Sequence, residues 1–184
     1  ELIEYYKGIF TILSSCASRQ LEEVTFRRTV IPVQELLDAA GKYFKKSMKN
    51  RSERIELEIE PMEAKVIGDV NQLRFLLENL IDEALTVRED GLIRLQARQD
   101  NEYIRFLFTD TRREKSVEEL NQLFYPNLAR MTSGEKGELR GTEYLICKQI
   151  IRDHDEFAGR RGCRINAEPA EGGGFTVYFT IPRR

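Results

Sequence analysis

Apolar residues follow two rhythms along this chain, and the switches between them mark out its elements. Leu2, Tyr6, Ile9, Leu13 and Cys16 recur at alternating intervals of four and three until Gln20 interrupts them, the seam of a helix packed lengthwise on another helix. Val30-Ile31-Pro32-Val33 breaks that pattern, because proline lacks a backbone donor and disfavours a helical residue before it. A domain boundary is expected near residue 30. From Glu35 to Lys49, Leu36, Leu37, Ala40, Tyr43 and Phe44 share one helical face, which suits a helix covering a sheet. Ile55, Leu57 and Ile59 then alternate with Glu56, Glu58 and Glu60, a strand with one buried and one wet face that Pro61 ends. Val66 and Ile67 suggest a second short strand. Asp69 is placed to cap a helix in which Leu73, Leu76, Leu77, Leu80, Ile81 and Ala84 make a broad apolar stripe.

Alternation returns at Ile93, Leu95 and Ala97 and again at Ile104, Phe106 and Phe108, with Asp100-Asn101 between them, so this pair predicts an antiparallel hairpin. A short helix is expected from Val117 to Phe124, then a polar loop over 126–140 punctuated by Ser133, Gly134 and Gly137. A helix over Thr142 to Asp153 follows. Arg164 to Ala167, Gly172-Gly173-Gly174, and Phe175 to Pro182 close the chain as a second hairpin. These helices and strands, with antiparallel hairpins, predict an α+β fold. The expected arrangement is a two-layer sandwich, a mixed sheet with helices on one face, preceded by a long N-terminal helix. An all-parallel, doubly wound sheet fits less well.

Composition narrows the chemistry. The 184 residues are 41% hydrophobic and 33% charged, enough apolar material for one domain with an appendage. A net charge of −2, with both signs interspersed, gives no reason to expect nucleic acid as a partner. No run approaches the roughly 18 to 20 apolar residues needed to cross a bilayer, so no membrane contact is expected of this segment. With no leader and no initiating methionine, it reads as an internal or C-terminal fragment of a cytoplasmic region. Cys16, Cys147 and Cys163 are widely spaced and support neither a disulfide framework nor a zinc site. The one histidine, His154, has no accompanying nucleophile elbow.

Taken in order, several stretches resemble the catalytic and ATP-binding domain of sensor histidine kinases, in the GHKL ATPase superfamily. They are Asp69 to Ile81 (D-x-x-x-L-x-x-L-L-x-N-L-I), a strand ending in Asp110-Thr111, Leu123-Phe124-x-Pro126, Gly141 before Leu145 to Ile151, and Phe175 to Pro182. The resemblance covers residues 30–184. Residues 1–29 look like the second helix of that family's dimerisation hairpin, which implies a homodimer through residues 2–24. It also implies an α/β sandwich in which ATP lies between the helical layer and a loop.

Site residues carry over one at a time. The family's central helix offers two asparagines to phosphate and magnesium; Asn79 stands at the first position and Glu83 at the second. Glu83 is thus the implied metal position, although a carboxylate adds charge beside a triphosphate and cannot donate as an amide does. Where the family runs Asp-x-Gly-x-Gly, with the aspartate reading adenine, this chain has Asp110-Thr111-Arg112-Arg113-Glu114. Long charged side chains replace both glycines and disfavour positive φ. Arg112 and Arg113 read either as phosphate contacts or, more commonly for such residues, as surface arginines without partners. The family's GxGxG becomes Leu139, Gly141 and Glu143, keeping one glycine of three. Glu143 at a helix start would repel the phosphate that such a terminus otherwise attracts. His154 falls after the last helix and is a poor phosphoacceptor; residues 155–162 lengthen the next link, as a surface turn or a partner surface.

Architecture therefore agrees with the family while the nucleotide chemistry departs from it at three loops. The expectation is a degenerate, pseudokinase-like domain of a two-component system that dimerises, binds a protein such as a response regulator, and takes no cofactor. Asn79, Asp110, Thr111 and Gly141 are its residual ATP-site positions. The competing expectation is a divergent active kinase using ATP and magnesium and a histidine upstream of residue 1.

Overall fold

The computed structural model describes residues 26–126 and 142–184, together with Ile3. The helical seam of Leu2, Tyr6, Ile9, Leu13 and Cys16, the polar loop over 127–140 with Leu139, and Gly141 lie outside the described residues. The elements run β1 (Thr29–Pro32), α1 (Val33–Met48), β2 (Ile55–Ile59), β3 (Lys65–Gly68), α2 (Val70–Ala84), β4 (Gly91–Asp100), β5 (Tyr103–Asp110), α3 (Val117–Gln122), α4 (Glu143–Phe157), β6 (Ile165–Pro169) and β7 (Phe175–Pro182). A five-stranded sheet has the order β2-β4-β5-β7-β6, and β1 and β3 form a separate two-stranded sheet. Only the β2–β4 pair in the larger sheet is parallel. The fold is the expected α+β sandwich with a mixed sheet.

Alternation on the central strands builds the core. Ile93, Leu95 and Ala97 of β4, Ile104, Phe106 and Phe108 of β5, and Val177, Phe179 and Ile181 of β7 are all buried. Phe106 and Phe179 face each other in register and stack with ring centroids 4.8 Å apart. Over this face lie Leu36, Leu37, Ala40 and Phe44 of α1, the leucine stripe of α2, and Cys147, Ile150 and Ile151 of α4. Truncating one such fully buried phenylalanine costs about 3–5 kcal/mol, because the rigid neighbours do not close the cavity.

Local chemistry ends the elements where the sequence suggests, with two differences. Asp69 caps α2 as expected, its carboxylate accepting the backbone N–H groups of Asn71 and Gln72. Asn101 takes φ +54 in the β4–β5 turn, a conformation that asparagine tolerates. Where the helical pattern breaks near residue 30, Thr29–Pro32 form the strand β1, antiparallel to β3, with Pro32 at its end and standing as the N-cap of α1. Proline is tolerated there because its missing donor removes no ladder bond. Helix α4 continues past Asp153 to Phe157, which brings His154 into its last turn instead of after it. The turn that follows folds on Asp155, whose Oδ1 accepts from the backbone of Gly162 at 2.7 Å and Cys163 at 3.1 Å.

Candidate functional site

Strand β5 delivers Asp110 to the edge of the core, between Ile93 of β4 and Phe175 of β7. A carboxylate whose side chain is only 6% exposed needs a counter-charge and donors, since burial of an unpaired charge is costly. The next residues supply both. Arg112 turns back so that its Nε donates to Asp110 Oδ1 at 2.9 Å and its Nη2 to Oδ2 at 2.9 Å, while its own backbone N–H adds a third bond to Oδ1 at 3.0 Å. This is the two-point grip that guanidinium and carboxylate planes favour.

The other guanidinium protons meet main-chain carbonyls at and just beyond the C-terminal end of α2. Nη1 donates to Val87 O at 2.8 Å and Glu89 O at 3.0 Å, and Nη2 also donates to Ala84 O at 2.6 Å. All five side-chain N–H groups are therefore engaged, and the side chain is 1% exposed. The surface reading of Arg112 is thus corrected: Asp110 supplies the charge that lets an arginine be buried here. Arg113 does stay at the surface, but with a partner, Glu89, at 2.6 Å. Neither arginine is free.

The remaining positions singled out from the sequence surround this pair. Thr111 uses both its hydroxyl, at 2.7 Å, and its backbone N–H, at 3.1 Å, on the carbonyl of Leu92, which extends the β4–β5 ladder by one residue. Asn79 is buried on α2, and its Nδ2 donates to Phe75 O one turn back at 2.8 Å. Glu83 follows on the next turn of the same helix. Gly174, at φ +83, lets the β6–β7 turn pass so close to Asp110 that a Cβ there would stand 2.1 Å from the Asp110 carbonyl oxygen. The glycine run forms the hairpin turn and also clears the exit of β5, a second purpose that appears only with the strands in register.

Negative charge gathers along α2 and the start of α4. Burial raises the Asp82 carboxyl above its ordinary value; the Tyr43 hydroxyl, donating at 2.7 Å, opposes this, and the charge of Glu143 adds to it. Tyr43 is itself pushed up to about 12, chiefly by burial and by that same carboxylate. Glu143 stands in the first turn of α4, and its Oε2 is buried with no hydrogen-bond partner among the described residues. Among those residues, no group of three or more His, Cys, Asp or Glu side chains comes together to hold a metal ion.

His154 is fully buried and structural in its bonding. Its Nε2 accepts the backbone N–H of Asp69 at 3.1 Å, so the proton sits on Nδ1 and is donated to Ile150 O at 2.8 Å. Burial drives its pKa down to about 4, against smaller upward effects from Ile150 and Asp69. Phe26 packs edge-on against the ring at 4.7 Å. A neutral imidazole with both nitrogens occupied has nothing left to offer a phosphoryl group. Cys147 and Cys163 are buried and joined in no disulfide among the described residues, and burial pushes the Cys163 thiol up to about 12. No described helix is long and apolar enough to cross a membrane.

Residues 68–184 match the family described as histidine kinase-, DNA gyrase B-, and HSP90-like ATPase. A comparison with curated proteins gave no match. Among solved structures, the chain is similar to a mycobacterial sensor histidine kinase, MprB, with TM-score 0.65 and 20% identity over 86% of this chain and 99% of that one. It is also similar to histidine kinase ThkA in its complex with the response regulator protein TrrA, with TM-score 0.66 and 19% identity over 97% of this chain and 49% of that one. A third is full-length ShkA in complex with AMPPNP, with TM-score 0.66 and 16% identity over 86% of this chain and 32% of that one. At these identities the likeness is one of fold.

Proposed function

This chain belongs to the histidine kinase-, DNA gyrase B-, and HSP90-like ATPase family, and from that premise we propose that it is a degenerate histidine-kinase-like domain with weak or absent ATP binding. Its work is then in signalling, as a module that dimerises through residues 2–24 and engages a protein partner such as a response regulator. Residues 1–29 form the arm and 30–184 the ATPase-like domain.

The observation that carries this reading is Arg112. Asp110 is the position where the family resemblance expects adenine to be read, and its carboxylate already accepts three bonds from Arg112. For adenine to sit there, a buried ion pair must open and five donors must lose their partners. Breaking such a pair costs about 3–5 kcal/mol, equivalent to a loss of more than a hundredfold in affinity before any nucleotide contact is made. Supporting features lie at the phosphate end. Asn79 donates into its own helix, Glu83 stands where an amide is expected, and Glu143 adds a carboxylate where a helix start would receive phosphate. Adenine and its magnesium-bound phosphates do not fit these residues as they are arranged.

A thermal shift measurement with Mg-ATP tests the reading. No change in melting temperature at millimolar nucleotide is expected. A saturable rise of several degrees would establish a working site by ligand linkage and favour the active kinase instead. For the dimer, the alternating apolar seam is the support; Ile9→Glu is expected to shift sedimentation toward monomer, and an unchanged profile counts against it.

A further inference from the structure

The surroundings of the Arg112 guanidinium are acceptors throughout: the Asp110 carboxylate and the carbonyls of Ala84, Val87 and Glu89. Ala84 is the last residue of α2, so its carbonyl lies at the negative end of a helix dipole, where a cation is favoured. Adenine offers donors only at its exocyclic amine, and its ring nitrogens are acceptors, which would face carbonyl oxygens here. A guanidinium offers five donors in one plane and no acceptor, and it satisfies every one of them in this pocket. Charge, planarity and donor count thus match a different ligand class from that of the ancestral site.

Gly91 makes the room. It lies at φ +146 against the Arg112 stem, so the aliphatic chain enters where a side chain would otherwise stand. The pocket is shaped around a guanidinium on an alkyl stem.

We propose that this is a guanidinium-binding site which the chain fills from its own loop, and that alkylguanidines, not nucleotides, are the ligands it takes once Arg112 is withdrawn. The inference deepens the proposed function and rests on it. Arg112 then acts as a tethered ligand that ties the exit of β5 to the end of α2.

The test is chemical rescue of the full chain carrying Arg112→Ala. Methylguanidinium at about 10 mM is expected to raise its melting temperature by several degrees in a saturable manner. Methylammonium at the same ionic strength is expected to have no effect, and neither is expected to act on the unaltered chain. Adding Asp110→Asn to the variant is expected to abolish the rescue. If the variant does not fold unaided, the same titration during refolding from urea reads recovery of folded signal, and no recovery overturns the proposal. Equal effects of methylguanidinium and methylammonium also overturn it. So does stabilisation of Arg112→Ala by Mg-ATP without methylguanidinium rescue, which would mark an adenine pocket stoppered by an arginine. Mg-ATP binding to the unaltered chain is a separate result, which overturns the proposed function itself.

Discussion

Gly91 and Arg112 lie so close that a Cβ on the glycine would stand 2.5 Å from the arginine Cγ. The stem cannot move aside cheaply, because the guanidinium at its far end is held by Asp110 and three carbonyls. Gly91→Ala therefore has to displace either the arginine or the start of β4, and φ +146 is strained for any L side chain. A loss of about 2–4 kcal/mol is expected in urea unfolding. Arg112→Ala, which strands the buried Asp110 carboxylate, is expected to cost about 3–5 kcal/mol. Both remove one interaction, so the double variant is expected to lose clearly less than the sum; strict additivity would show that Gly91 acts elsewhere.

His154 makes stability depend on acid. Its folded pKa is lowered from 6.5 to about 4, so below 6.5 the unfolded chain takes a proton that the folded chain refuses. Its contribution is complete above 6.5, falls as pH drops, and levels off below about 4. The amplitude is about 3 kcal/mol. Glu53, Glu60, Glu119 and Asp155, all with lowered carboxyl pKa values, also lose stabilising charge in acid, so the informative quantity is a difference. His154→Gln can accept from Asp69 and donate to Ile150 without titrating. The difference in unfolding free energy between the unaltered chain and this variant is expected to narrow or reverse between pH 7 and 4; a constant difference would contradict a buried neutral imidazole.

Two neighbouring glycines separate close packing from backbone preference. A Cβ at Gly174 meets the Asp110 carbonyl oxygen at 2.1 Å and Thr111 Cα at 2.7 Å, both backbone, whereas one at Gly172 meets nothing within 4 Å. Gly172→Ala carries only the penalty of its φ of +88, about 1 kcal/mol. Gly174→Ala is expected to cost about 3 kcal/mol or more. Thermal unfolding that ranked the two equally would refute the close approach of the β6–β7 turn to Asp110.

How much of this was legible in the residues depended on range. Leu73 to Ala84 and Ile93 to Phe108 announce their elements because burial on one face imposes a local period. β1 was hidden because four residues ending in Pro32 are too few to show a period, and only pairing with β3 makes them a strand. α4 ran on through Asp153-His154-Asp155-Glu156, a polar run that hides a buried histidine whose partner, Asp69, is 85 residues away. Asp110 stands out through a family pattern, but Arg112 reads as a phosphate contact or a surface residue, since arginine is almost never fully buried unless paired. Its partner two residues back was visible. The carbonyls at Ala84, Val87 and Glu89 were not, because backbone acceptors leave no trace in side-chain identity. The glycine at 91, opposite the end of β5, was the one further signal.

If Arg112 takes the place of a nucleotide base, as proposed, the proton on its Nε, held by Asp110 at 2.9 Å, reports this directly. In an isotope-labelled sample of the unaltered chain, the Arg112 Nε–H resonance is expected to exchange slowly with water and to stay in place as Mg-ATP is added to several millimolar. A resonance that exchanges as fast as those of exposed arginines, or that shifts and saturates with nucleotide, would contradict the account.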